Sequence, residues 1–173
     1  MERRPLLAHP AAQPAPVWQL EAGVRAIPGG LSLRYCLGGD IARLRHGEAR
    51  GRVDGLWEHT CFEAFLQPID EHGYLEFNFS PAGAWAAYRF GGRRVGRRPL
   101  DLPQPPLISV TRDNRLETSV QLLLPPGSRS WRAGLTAVLE DDNGCLSYWA
   151  LAHAGPQPDF HDPAGFLLEI QAP

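Results

Sequence analysis

The sequence of 173 residues contains no lysine; all 17 of its basic residues are arginine. Without a lysine amine there is no Schiff-base chemistry and no Walker-type phosphate loop. Cysteine is scarce. Cys36, Cys61 and Cys145 make an odd number with no CxxC spacing, which supports neither a disulfide framework nor a zinc ribbon. They read as small buried hydrophobes in a reducing compartment. Methionine occurs once, at position 1. No apolar run approaches the roughly 20 residues of a membrane helix. Residues 1–16 mix Arg, Pro, Ala, Gln and His and lack the apolar stretch of a secretory signal. A cytoplasmic location is therefore expected. Neither sign of charge dominates: 17 basic against 19 acidic residues leave a net charge of −2. No overall basic field draws nucleic acid or an anionic membrane.

Glycine and proline are plentiful instead, at 18 and 17. That load interrupts helices often and argues against a bundle of long helices. The length suits one domain with a core of its own. Residues 1–16, rich in proline, are expected as an extended N-terminal arm or an edge-strand lead-in, and residues 17–173 as the folded domain. Within it, short apolar stretches are separated by turn residues. Residues 31–37 alternate, with Leu31, Leu33, Tyr35 and Leu37 on one face. Residues 56–66 (LWEHTCFEAFL) read as one long strand. Residues 74–80 (YLEFNFS) alternate strictly, and Pro81-Ala82-Gly83 turns the chain tightly into residues 85–90, an antiparallel neighbour. Residues 107–111 and 116–124 read as a hairpin. About nine short strands at such spacing predict an all-β, single-domain antiparallel β-sandwich with few or no helices.

The strand at 74–80 carries the most chemistry. Leu75, Phe77 and Phe79 share a core face; Tyr74, Glu76, Asn78 and Ser80 share the other. On 56–66, Phe62, Ala64 and Leu66 face one way and Trp57, His59, Cys61, Glu63 and Phe65 the other. Antiparallel pairing brings Glu63, Glu76 and Asn78 onto one surface. Acidic, amide and aromatic groups on one sheet face suit sugars: polar side chains meet hydroxyls, and rings stack on C–H faces. On the residues alone, the same alternation fits an ordinary solvated outer face.

The runs Leu56-Trp57, Cys61-Phe62-Glu63-Ala64-Phe65-Leu66 and Tyr74-Leu75-Glu76-Phe77-Asn78-Phe79-Ser80-Pro81-Ala82-Gly83, followed by residues 85–89, resemble DOMON-like domains. The branch they look most like is the one related to family 9 carbohydrate-binding modules, in its short bacterial form. The resemblance implies a β-sandwich of immunoglobulin-like or jelly-roll-like type, with ligand held on or at the edge of one sheet. It implies that two tryptophans clamp a sugar while Glu, Asn and Arg side chains bind hydroxyls. By position Trp57 matches the first clamp, Glu63 the acidic group and Arg89 the arginine; Trp149, on a late strand, is the candidate second clamp. Cys61 departs from the pattern, since many modules carry Asp there. Other DOMON domains hold haem between Met and His. With methionine only at position 1 that pair is excluded, and His/His ligation among His59, His72, His153 and His161 is the remaining haem reading.

Other segments invite chemistry less strongly. His153, His161 and Asp162 lie in HAGPQPDFHDPAGF, where Asp162 reads as a turn cap. His59 and Cys61 lack the orienting partner and oxyanion hole of a nucleophilic dyad. Arg93, Arg94, Arg97 and Arg98 read as a solvated basic loop. The expectation is thus a non-catalytic module that binds a carbohydrate or similar polar small molecule through Trp57, Glu63, Glu76, Asn78, Arg89 and Trp149. No metal, cofactor, nucleic acid or membrane is expected, and the oligomeric state is left open. The alternative is a protein–protein interaction module that uses the same face.

Overall fold

A computed structural model describes residues 1–11, 16–127 and 130–171. Residues 12–15 of the expected N-terminal arm lie outside the described residues. Fourteen strands form among those described: β1 (Arg4–Ala8), β2 (Trp18–Ile27), β3 (Gly30–Gly39), β4 (Leu44–Arg45), β5 (Gly51–Arg52), β6 (Cys61–Pro68) and β7 (Tyr74–Phe79). They continue with β8 (Ala84–Phe90), β9 (Arg98–Pro99), β10 (Leu107–Arg112), β11 (Leu116–Leu123), β12 (Ser130–Asp141), β13 (Leu146–Ala150) and β14 (Leu168–Gln171). The described residues contain no α-helix, only three single-turn 3-10 segments. The architecture is the expected all-β sandwich.

One layer runs β10-β11-β3-β2 and the other β13-β12-β6-β7-β8, with β1 between them. The first half of β1 pairs with β2 (Leu6 opposite Leu20), and its second half pairs with β13 (Leu7 opposite Ala150). The pairings are antiparallel except for the short parallel contact of β5 with β8. The hairpins expected at 74–90 and 107–124 are present, as β7–β8 and β10–β11.

Alternation builds the core between the layers. From one layer come Leu31, Leu33, Tyr35, Leu37, Val120 and Leu122; from the other come Phe62, Ala64, Leu66, Phe77, Phe79 and Leu135, all buried. Tyr35 stacks on Phe62 at 4.9 Å across the gap, and its hydroxyl donates to the Glu63 carbonyl at 2.6 Å. That bond satisfies a phenol with no access to water.

Two expectations need correction. The strand read at 56–66 begins only at Cys61; Leu56–Glu58 form a 3-10 turn started by Gly55, whose φ of 78° is left-handed. Ile41–Arg43 is another such turn. Arg4–Ala8, inside the expected arm, is a strand paired on both sides.

Candidate functional site

The outer face of the β13-β12-β6-β7-β8 layer is not solvated. β6 and β7 are buried along their whole length, on both faces. Phe65, Tyr74, Ala86, Tyr88, Phe90 and Phe166 form a second apolar cluster there, with Leu56, Trp57 and Phe160 packed against it. Three segments cover the face: the turn at Leu56–Glu58, the loop at 91–97 and the stretch 153–166. Between them lies a pocket of about 450 Å³. Glu63, Glu76, Val138 and Tyr148 reach it from four strands, Trp57 from the turn, Arg94 and Arg97 from the loop, and Pro158, Phe160 and His161 from the last stretch.

Sheet register assembles the polar floor. Glu63 on β6 stands opposite Asn78 on β7 and opposite Thr136 on β12. Glu76 precedes Asn78 by two residues and shares its face. The Asn78 amide donates to Glu76 Oε1 at 2.8 Å, and the Thr136 hydroxyl donates to Glu63 Oε2 at 3.1 Å. Glu76 Oε2 and Asn78 Oδ1 are buried and accept from no group among the described residues. Burial pushes the Glu63 carboxyl well above the usual range, and the neighbouring Glu76 pushes it further. Burial raises Glu76 as well, against the pull of its Asn78 bond and of Arg97 and Arg94. Both shifts penalise the charged form in a site of low dielectric.

His161 is hydrogen-bonded to Tyr74. The Arg94 backbone N–H donates to the Tyr74 hydroxyl at 3.2 Å, and that hydroxyl lies 2.7 Å from His161 Nδ1. On the other side of the ring, His161 Nε2 lies 3.9 Å from Glu76 Oε2. Burial, then Arg94, lowers the His161 pKa to about 4, with Asp159 opposing. The ring is therefore neutral at pH 7, and its contact with Glu76 is not an ion pair.

The walls are tied together by Asp159. Its carboxylate takes Arg93 at 2.6 Å and Arg94 at 2.9 Å, and Arg93 also reaches Asp162 at 3.1 Å. Burial alone would raise Asp159, but hydrogen bonds from Arg93, the His161 N–H and Arg94 hold it below the ordinary carboxylate range. Arg94 adopts a left-handed φ of 58°, and its backbone N–H is the donor to Tyr74. The basic stretch read as a solvated loop is thus part of the site. Arg97 lies over the rings of Trp57 and Tyr88, 5.3 and 5.1 Å from their centroids.

Of the six residues expected at the site, Trp57, Glu63 and Glu76 line the pocket and Asn78 supports its floor. The other two lie elsewhere. Trp149 projects into the core, where its indole N–H donates to Ser147 at 2.9 Å; its neighbour Tyr148 takes the outer face. Arg89 has the core-facing parity of Trp85 and Ala87 at the sheet rim and is exposed. It borders a separate cleft with Glu71 and Trp131. Arg94, Arg97, Tyr148, Phe160 and His161 were missed. Of the four histidines weighed for haem, only His161 lines the pocket. His153 bonds the Leu7 carbonyl and His59 bonds Glu140. Cys61 is fully buried, so it forms no dyad with exposed His59. Asp162 caps the turn Pro163–Gly165, accepting from the Ala164 N–H, as expected.

The same outline occurs in solved structures. Over 99% of this chain and 86% of the other, it superposes on a "putative carbohydrate-binding protein" from Bacteroides uniformis, with a TM-score of 0.72 at 16% identity. A family 9 carbohydrate-binding module from Caldicellulosiruptor kristjanssonii in complex with cellotriose matches over 96% of this chain and 81% of its own, with a TM-score of 0.57 at 8% identity. The same organism's module in complex with glucose gives 0.52 at 7% identity, over 97% of this chain and 83% of that one. The chain has the fold of the family 9 modules. No protein-family model and no curated protein matches it. On this fold the pocket lies on one sheet face, covered by the turn at Leu56–Glu58 and two loops.

Proposed function

We propose that this protein is a non-catalytic carbohydrate-binding module that holds its sugar in the pocket over Glu63 and Glu76. The observation that carries the reading is the mismatch on the pocket floor. Two buried acceptors, Glu76 Oε2 and Asn78 Oδ1, lack donors among the described residues, and leaving such atoms unpaired costs on the order of 1–3 kcal/mol each. A polyol supplies donors in adjacent pairs. Trp57, Tyr148 and Phe160 offer ring surface for its C–H faces. The guanidinium of Arg97 has no hydrogen-bond or ion-pair partner among the described residues and meets ring or glycosidic oxygens. The fold, shared with modules solved around cellotriose and glucose, supports the same reading. A concave site also favours a small ligand over the flat apolar patch a protein partner would need. Three unpaired cysteines, two of them buried, fit a reducing compartment such as the cytoplasm.

Calorimetric titration against a panel of mono- and oligosaccharides tests the proposal. At least one sugar is expected to bind, and Trp57→Ala is expected to weaken that binding about tenfold or more. Silence across the panel, or binding that is indifferent to Trp57, would count against this site.

A further inference from the structure

The pocket floor presents two carboxyls, Glu63 and Glu76, on neighbouring strands. Asn78, beneath the pocket, gives one amide hydrogen to Glu76 Oε1, and its buried oxygen accepts from no group among the described residues. Thr136 spends its hydroxyl on Glu63 Oε2. Glu76 Oε2 is left without a donor; the Glu76 side chain is only 6% exposed and Asn78 is fully buried. Two carboxyls thus stand on neighbouring strands with neutral partners only. The nearest basic nitrogen to Glu76, His161 Nε2 at 3.9 Å, belongs to a neutral ring. Arg94 is engaged by Asp159. Arg97 sits over Trp57 and Tyr88 rather than on a carboxylate. These two arginines draw Glu76 down without overcoming its burial.

A neutral hydroxyl brings one donor to such a floor and no charge. An ammonium brings three donors and a full positive charge, which offsets the cost of ionising a buried carboxyl pair. The aromatic walls tolerate or attract the same charge through their ring faces. Among the described residues no group of three or more His, Cys, Asp and Glu is placed to hold a metal ion, and the carboxyls under ring-lined walls suit an organic amine.

We propose that the pocket selects amino sugars, seating the ligand's protonated amine on Glu63 and Glu76. This rests on the carbohydrate reading above and narrows it to one ligand class. The amine replaces a sugar hydroxyl at the floor, and Arg97 and the rings of Trp57 and Tyr148 receive the rest of the ring.

The full chain is titrated calorimetrically at pH 7 with glucosamine, galactosamine and mannosamine, each beside its neutral parent sugar and its N-acetyl form, and with chitosan beside chitin oligomers. At least one free amine is expected to bind about tenfold or more tighter than both its matched controls. Glu76→Gln keeps the side chain's shape and is expected to cut the amine's advantage over its two matched controls about tenfold. The wild-type comparison stands even if this variant fails to fold. Neutral or N-acetyl sugars that bind as tightly as the amines overturn the amine proposal and leave the carbohydrate reading intact. No binding to any member of the panel overturns both.

Discussion

His161 shows how one side chain can be read for stability as well as for the site. Its folded pKa, about 4, lies below the ordinary histidine value of 6.5. A base depressed in this way leaves stability intact above pH 6.5, and stability falls as the pH drops from 6.5 toward 4, where the unfolded chain takes up a proton that the folded chain refuses. Glu63 and Glu76 act in the opposite direction. Their pKa values are raised, so their unfavourable contribution grows as the pH climbs above the ordinary 4.5. Between pH 6.5 and 4 the two effects oppose each other in the wild type. His161→Gln removes one of them. Its melting temperature, followed by circular dichroism from pH 7 to 4, is expected to fall less than that of the wild type. An unchanged or steeper fall would show that His161 is not the buried neutral ring described. None of this could be read beforehand: His161 sits in a Gly/Pro-rich stretch with no periodicity, and only the fold brings Tyr74 and Arg94 to it.

At the scale of elements, the pocket depends on how the 153–166 stretch is pressed onto the sheet. Gly134 on β12 provides the room. A Cβ there would lie 2.7 Å from Phe166 Cδ1 and 3.4 Å from the Gly165 carbonyl oxygen. Phe166 in turn stacks on Phe65 at 5.7 Å. Gly134→Ala must therefore push Phe166 off its seat, shifting the segment that carries Phe160 and His161. We expect a loss of about 1–3 kcal/mol in denaturant unfolding, together with weaker binding of whichever sugar the wild type takes. Full-strength binding would mean that the segment is anchored mainly by Asp159 and its arginines. The core face of these strands was legible from alternation, because Leu75, Phe77 and Phe79 leave no choice. On β13 it was not. LSYWALA is apolar on both faces, so the one-residue choice between Tyr148 and Trp149 waits for the register with Ala137 and Val138. The arginine loop misled for a related reason: a run of like charge looks solvated until its acidic partner, Asp159, arrives from 65 residues downstream.

For the whole molecule the decisive element is the one least visible in the sequence. β1 lies in a proline-rich stretch that reads as an arm, yet it belongs to both layers, with Leu6 opposite Leu20 on one side and Leu7 opposite Ala150 on the other. Strand pairing of this kind depends on partners more than a dozen residues away and leaves no local pattern. The exposure of Leu6 is 3%, and it belongs to the shared core. The layers are further joined by the Tyr35 hydroxyl on the Glu63 carbonyl, directly beneath the pocket floor. One core and one bridging strand predict one cooperative unfolding unit, so damage to β1 is felt in both sheets. Leu6→Ala is expected to cost about 2–5 kcal/mol, with a single denaturation midpoint shared by far-ultraviolet circular dichroism and tryptophan fluorescence. The fluorescence probe is well placed, since Trp18 lies in one layer and Trp85, Trp131 and Trp149 in the other, all buried. A cost below about 1 kcal/mol would make β1 the loose arm its composition suggests. Two separate midpoints would mean that the layers unfold independently, and the pocket, built on one of them, would then outlast the loss of the other.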